Sequence, residues 1–332
     1  MAAGSPPSSL IVVCTGRCGS TLLSNMVRLH PEVLSLSELF VLLGPRAFEP
    51  GLVTGERFWE ILSVPDQYHT MMLRGGLGFK EWLYQPAPGR RYTAETGVPP
   101  IVFVTLPHLT DEPEALFDEL AEWVPSLEPR PIGEQFARLF GWLCRRFGRT
   151  VWMERSGTSL GWVSSVAALF PEARIVHLHR DGRECAVSMS LHNGFKLLAL
   201  VRGGWVPDGV AWPPSAERPF DIGAFDRARP PAWMLGGAWS DMVVEGSRQL
   251  MELEPGRVST MRYEALVADP ADELRRLVRL CGWAEDEEWV SRASALVVPQ
   301  EPRWVRLPEA ERTALVEACA PGMALLERRD AH

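Results

Sequence analysis

Lysine is nearly absent. Lys80 and Lys196 are the only lysines among 34 basic residues, and arginine supplies the rest. With 28 glycines, 28 prolines and 13 tryptophans in 332 residues, this bias reads as a compositional habit, so only the placement of an arginine carries weight. The cysteines are few and unpatterned. Cys14, Cys18, Cys144, Cys185, Cys281 and Cys319 form no C-x-x-C pair and no Cys/His cluster with zinc spacing. That predicts reduced thiols and neither a disulfide framework nor a metal site. No stretch approaches 18 uninterrupted apolar residues, which predicts no membrane span. The first nine residues lack the basic segment and apolar core of a signal peptide, so a cytoplasmic placement is the simplest expectation. Positive charge is not in excess: 42 acidic residues give a formal net charge of -8. A nucleic-acid partner is therefore not expected, although a few arginines can still hold a small anion. Internal repeats and heptads are also missing.

What is present is an ordinary globular composition, 46% hydrophobic and 23% charged. A chain this long buries roughly three quarters of its unfolded surface without a covalent staple. Leu10 to Cys14 is a short apolar run, read as a buried strand. A Gly/Ser/Thr loop follows, and then Leu22, Leu23, Met26, Val27 and Leu29 recur at helical spacing until His30-Pro31. Further strands are expected at 32–40 running into a helix near Glu38, at Val151–Met153, at Arg174–His179 and at Arg257–Met261. Ile101–Val104 reads as a strand or a packed loop. Helices are expected at 112–124, 132–147, 162–170, up to about His192, at 233–253 and at 270–280, and again after a proline-rich break at 299–308. Alternating strands and helices imply an α/β fold: a central parallel sheet of about five strands with helices on both faces. We expect one domain over 1–332, with excursions near 65–130 and 194–232. Trp205, Trp212 and Trp233 in the second excursion either line a pocket or pack the loop.

Two local patterns point to an anion. In Gly16-Arg-Cys-Gly-Ser-Thr21 a loop between strand and helix directs backbone N–H groups and the positive helix end at one point. Arg17 adds a fixed cation, and Ser20 and Thr21 add hydroxyls. The ATP-type loop, G-x-x-x-x-G-K-[ST], is not present, because no lysine follows the second glycine. The second pattern is Arg180 at the carboxyl end of a strand with Ser188 eight residues on: a guanidinium fork and a hydroxyl, both suited to phosphate. Taken alone, Arg180 could equally pair with Asp181 or Glu184.

Together the two patterns resemble those of sulfotransferases that use 3′-phosphoadenosine 5′-phosphosulfate (PAPS). The first motif reads Thr15-Gly-Arg-Cys-Gly-Ser-Thr-Leu22, the second His179-Arg-Asp-Gly-Arg-Glu-Cys-Ala-Val-Ser188, and Arg262-Tyr-Glu264 resembles a third landmark whose tyrosine reaches the cofactor. The landmarks span most of 10–280. Gly16 stands where many members have proline, which implies a more flexible loop. The resemblance implies a P-loop-like three-layer fold and no metal. It places the 5′-phosphosulfate on Arg17, Cys18, Gly19, Ser20, Thr21 and Leu22. The 3′-phosphate falls to Arg180 and Ser188, with Tyr263 close by and Arg303 as a further contact. It implies in-line transfer to a hydroxyl of a small molecule, sugar or lipid, releasing adenosine 3′,5′-bisphosphate, with Arg17 stabilising the leaving phosphate. Relatives resembling tyrosylprotein and carbohydrate sulfotransferases place a glutamate base shortly after the first helix, and Glu38 stands there. Ser35-x-x-Glu38 also fits a capping box. Arg155 resembles a second cation near the transferred group, with a salt bridge to Glu154 as the plainer alternative. His192, expected on the same helix face as Ser188, stands where tyrosylprotein-type members carry arginine. His30 reads as a helix-end residue, and nothing in the sequence supports His108 as a substrate contact. An ATP-dependent kinase of P-loop-like topology and a nucleotide-binding protein without activity are the competing readings. The oligomeric state, a homodimer included, stays open.

Overall fold

The structure is a computed structural model and describes residues 7–79, 81–87, 89–213, 217–218 and 220–330. Its centre is a five-stranded parallel sheet: β1 (Leu10–Val13), β2 (Val33–Ser37), β3 (Val151–Arg155), β4 (Arg174–His179) and β5 (Val258–Arg262). The spatial order is β2-β3-β1-β4-β5, so β1 is the middle strand. All four residues of β1 are fully buried, as expected for a strand covered on both faces.

The helices used below are α1 (Ser20–Arg28), α2 (Leu39–Leu43), α3 (Gln67–Arg74), α4 (Ile132–Arg146), α5 (Gly182–Ser190), α6 (Asn193–Val201), α7 (Ala232–Met251), α8 (Tyr263–Ala268), α9 (Pro270–Cys281) and α10 (Glu309–Asp330). From β1 the chain moves one way across the sheet to β2; from β3 it moves the other way to β4 and then β5. Because such crossovers are right-handed, α1 lies on one face and the β3–β4 and β4–β5 connections on the other. The direction reverses at β1, and in open α/β sheets that switch point opens a crevice at the carboxyl ends of the strands. Among the described residues no helix is long and apolar enough to cross a membrane.

Several sequence expectations are corrected. Ile101–Val104 is not a strand: Pro100–Phe103 forms a helical turn. Proline at its first position presets the helical φ, and the apolar side chains are buried without a sheet neighbour. The second excursion is not irregular throughout, because α6 opens it and Ile222–Arg227 is a further helix; residues 214–216 and 219 lie outside the described residues. The helix after β4 ends at Ser190, not at His192. His192 is instead the N-cap of α6, its side chain accepting from the Gly194 N–H, so it does not continue the helix face of Ser188.

The helices beyond β4 pack closely enough to demand glycine. A Cβ on Gly182, the first residue of α5, would lie 2.3 Å from the ring of Trp239 in α7, which is only 1% exposed. The substitution Gly182→Ala should therefore push α5 off α7 and destabilise the protein by about 1–3 kcal/mol, as overpacking does. Thermal unfolding checks this, and a melting temperature equal to that of the parent would show that the two helices part freely.

Candidate active site

Each of the five strands delivers a candidate residue just beyond its carboxyl end. Arg17 follows β1, Glu38 follows β2, Arg155 ends β3, Arg180 follows β4, and Tyr263 follows β5. Because all five strands are parallel, their carboxyl ends share one edge, which brings residues so far apart in sequence together.

The loop after β1 is shaped by backbone sterics. Gly16, Arg17 and Gly19 have φ of 79°, 59° and 90°. Proline fixes φ near −65° and could not occupy position 16 in this loop. Gly16 thus sets the shape of the loop, in place of the looseness its sequence suggested. Phe195 of α6 presses on it, 3.0 Å from where a Cβ would stand. Tyr263 lies across Gly19, with ring atoms 2.1 and 2.5 Å from a Cβ there. Ser20 begins α1, and the first-turn N–H groups of that helix have no intrahelical acceptor. The Cys18 side chain is fully buried, so only its backbone can meet a ligand.

Arg17 joins the two anion motifs: its Nε donates to Ser188 Oγ at 3.0 Å. Its Nη1 donates to Glu81 Oε1 at 2.6 Å. The other oxygen of Glu81 pairs with His192 Nε2 at 2.9 Å. Burial would raise the Glu81 carboxyl, but the bonds to His192 and Arg17 more than reverse this and hold it at about 2. Neither Glu81 nor the role of His192 was read from the sequence, since no motif surrounds them. Arg180 stacks on the Tyr263 ring at 4.3 Å and lies 3.5 Å from Glu184 Oε2. That pair is buried, and Asp181 turns instead to Arg183. Glu184 also accepts from the N–H groups of Arg303 and Trp304, and so draws Arg303 to the same carboxylate as Arg180.

Glu38 is not a capping box with Ser35. Ser35 lies within β2 and bonds Ser24, while Glu38 is a left-handed residue (φ 60°) whose carboxylate caps nothing. One oxygen accepts from Arg155 Nη1, and the other accepts from the Gly157 N–H at 2.8 Å. Arg155 is 3% exposed and also donates to Ser37 Oγ. It pairs with Glu38, not with Glu154, and does not line the cavity described next. Glu154, fully buried below, accepts from Ser156 Oγ at 2.7 Å, and Ser156 Oγ in turn accepts from the N–H of Phe40 at 2.9 Å. Burial pushes Glu154 up to about 8.

A cavity of about 700 Å³ opens on part of this set; Arg180, Ser188, Tyr263 and Arg303 do not line it. Gly16, Arg17, Ser20, Thr21 and Glu38 form one wall, with Thr158 and His192 beside them. Among the described residues the non-glycine residues with left-handed backbone are Arg17, Glu38 and Thr158, and all three line this cavity. Such conformations cost about 1–3 kcal/mol each and gather at functional sites. Trp205, Trp212 and Trp233 do not line it: Trp205 and Trp212 pack on Phe225 and Phe220, and the tryptophans of the cavity are Trp82 and Trp162. His30 is buried beside Trp283 and Trp289. His108, held near 3 by burial, is enclosed with Ser24 and Ser35 away from the cavity.

Residues 161–301 match the family model described as a sulfotransferase domain. No curated protein matches the chain in sequence. Among solved structures it is similar to the sulfotransferase domain from the curacin biosynthetic pathway, at 16% identity and a TM-score of 0.47, covering 95% of this chain and 91% of that one. It is also similar to the sulfotransferase domain of the Synechococcus PCC 7002 olefin synthase, at 17% identity and 0.45, covering 96% and 89%. A sulfotransferase from Mycobacterium avium gives 16% and 0.45, covering 99% and 78%.

The buried Glu154 makes stability depend on pH. Its carboxyl titrates near 8 in the folded chain against an ordinary 4.5, so the folded state keeps a proton that the unfolded state releases. Its contribution is therefore undiminished below pH 4.5 and falls as pH rises toward 8. Glu154→Gln should flatten that decline and gain stability relative to the parent between pH 5 and pH 8. Urea unfolding at both pH values reads this, and parallel slopes in the two proteins would refute the protonated carboxyl.

Proposed function

We propose that this chain, whose residues 161–301 match the sulfotransferase domain, is a PAPS-dependent sulfotransferase that moves the sulfuryl group of PAPS to an acceptor hydroxyl with Glu38 as general base. The observation that carries this reading is the convergence of an anion-shaped loop and a backbone-strained carboxylate on one cavity wall.

The residues present fit a nucleotide phosphorylated at both ends. The left-handed loop and the first turn of α1 supply N–H donors for the 5′ end, from Arg17 through Cys18, Gly19, Ser20, Thr21 and Leu22. Arg180 has a buried Nε without a hydrogen-bond partner among the described residues, a donor suited to the 3′-phosphate. Ser188 accepts from Arg17 and keeps its own O–H to donate. Tyr263, stacked on Arg180, would contribute to holding the nucleotide, and Arg303, docked through Glu184, would add a further cation. When bound, PAPS supplies an activated sulfuryl group whose leaving group is adenosine 3′,5′-bisphosphate.

The chain's own groups do the rest. Arg17 neutralises charge that builds on the leaving phosphate. Glu38 accepts the proton of the acceptor hydroxyl. Each of its oxygens has one partner, so a second lone pair on each is left for that proton. Arg155, buried behind it, is a positioning residue. The whole chain acts as one unit and needs no metal. A phosphoryl-transfer reading lacks its lysine at the loop.

Glu38→Gln should lower the rate of transfer by about a hundredfold to ten-thousandfold, the usual worth of a positioned base, and leave adenosine 3′,5′-bisphosphate affinity unchanged. Full activity in that variant removes the base assignment. Arg180→Ala should weaken the bisphosphate by about 1.5–3 kcal/mol, as loss of a charged hydrogen bond does, and leave ADP unaffected. Calorimetric titration of both nucleotides tests it, and equal weakening of the two would move the 3′-phosphate site elsewhere.

A further inference from the structure

The acceptor half of the cavity differs in chemistry from the donor half. Away from the loop, its walls are Val41, Leu42, Met72, Trp82, Phe195 and Leu198, with Trp162 and Met242 beside them. Leu42, Met72 and Trp82 are buried core residues that turn one side to the cavity. Of the polar side chains in the lining, Arg17 and His192 hold Glu81, Arg155 holds Glu38, and His69 faces Asp66, while Ser20 and Thr21 belong to the loop side, Thr158 stands beside it and Tyr68 is exposed. Arg202 and Asp241, also in the lining, are exposed at its rim.

A sugar ring placed here would bury several hydroxyls against aromatic and aliphatic carbon. Each buried hydroxyl without a partner costs about 1–3 kcal/mol. An alkyl or aryl body would replace water on the same walls at no such cost. A volume of about 700 Å³ is that of a site enclosing a drug-sized molecule.

From this contrast we infer that the acceptor is an apolar alcohol: one hydroxyl presented to Glu38 on an unsubstituted aliphatic or aromatic body. The inference rests on the sulfuryl-transfer reading above. It selects within that reading against carbohydrate acceptors.

The test measures release of adenosine 3′,5′-bisphosphate from PAPS in the presence of 1-butanol, 1-hexanol, 1-octanol or methyl β-glucoside. The full-length protein is first titrated with the bisphosphate alone, read as a thermal shift. Without a shift, the sulfuryl-transfer reading fails, and the acceptor class falls with it. With a shift in place, kcat/KM should rise along the alkanol series by about threefold to fourfold per methylene, with the glucoside at background. A flat series, a glucoside turned over as well as octanol, or no turnover of any alkanol overturns the apolar acceptor while leaving the nucleotide site standing. Leu198→Asn, on a half-buried position of α6, should lower kcat/KM for octanol at least tenfold, mainly through KM. The bisphosphate shift of this variant reports that it is folded. An unchanged KM for octanol would show that this wall does not meet the acceptor.

Discussion

Everything in the site depends on a backbone constraint at residues 16–19. The chain leaves the central strand and must turn into α1 within six residues, and it does so through left-handed conformations at Gly16, Arg17 and Gly19. The turn is held from both sides, with Phe195 over Gly16 and Tyr263 over Gly19. Those two side chains come from distant segments, so the loop is fixed by the assembled fold. A rigid cradle can aim N–H groups at an anion before the anion arrives, and preorganisation of this kind costs no rearrangement at the moment of reaction. Arg17 pays for its own strained backbone with two hydrogen bonds, to Ser188 and Glu81.

A second set of buried polar contacts does for Glu38 what the two rings do for the loop. Ser156 binds the N–H groups that open α2, and its hydroxyl hydrogen rests on Glu154. Arg155 and the Gly157 N–H grip the Glu38 carboxylate directly. Residues 154–157 thus fix both the backbone and the side chain of Glu38. A buried ion pair such as Arg155–Glu38 is weak evidence for stability, because desolvation offsets the attraction. Its use here is geometric: it holds a carboxylate in place at the cavity wall.

The fold was largely legible because α/β architecture writes itself locally. A continuous apolar run such as Leu10–Val13 reads as a fully buried strand, and a glycine-bearing loop with a helical periodicity behind it completes the unit. The short segments were harder. Pro100–Phe103 carries the apolar composition of a strand, and the proline that opens it and the lack of a sheet neighbour go with a helical turn instead. The site was legible where residues follow strands: Arg17, Glu38, Arg155, Arg180 and Tyr263 all stand at strand ends. Glu81, Ser156, the burial of Glu154 and the bonds of Glu184 to residues 303–304 were not, although Glu184 was readable as a partner of Arg180. Each acts through a partner more than a hundred residues away or through burial that no local pattern reports. The tryptophans of the second excursion were left between lining a pocket and packing the loop; Trp205 and Trp212 pack on Phe225 and Phe220, and the cavity takes Trp82 and Trp162 from stretches without a Gly/Pro-rich signature.

Dividing one site over five strand ends has a consequence for modularity. Residues 161–301 contain β4 and β5 but neither the central strand nor the segments that carry Arg17 and Glu38. A fragment with those bounds would hold Arg180, Ser188 and Tyr263 without the turn that Tyr263 braces. Its two strands would lose the neighbour that buries one edge of the pair. On the proposed reading the site is therefore indivisible: it is not excised, shuffled or inherited in halves, and only an exchange that carries all five strand ends together passes on the whole constellation.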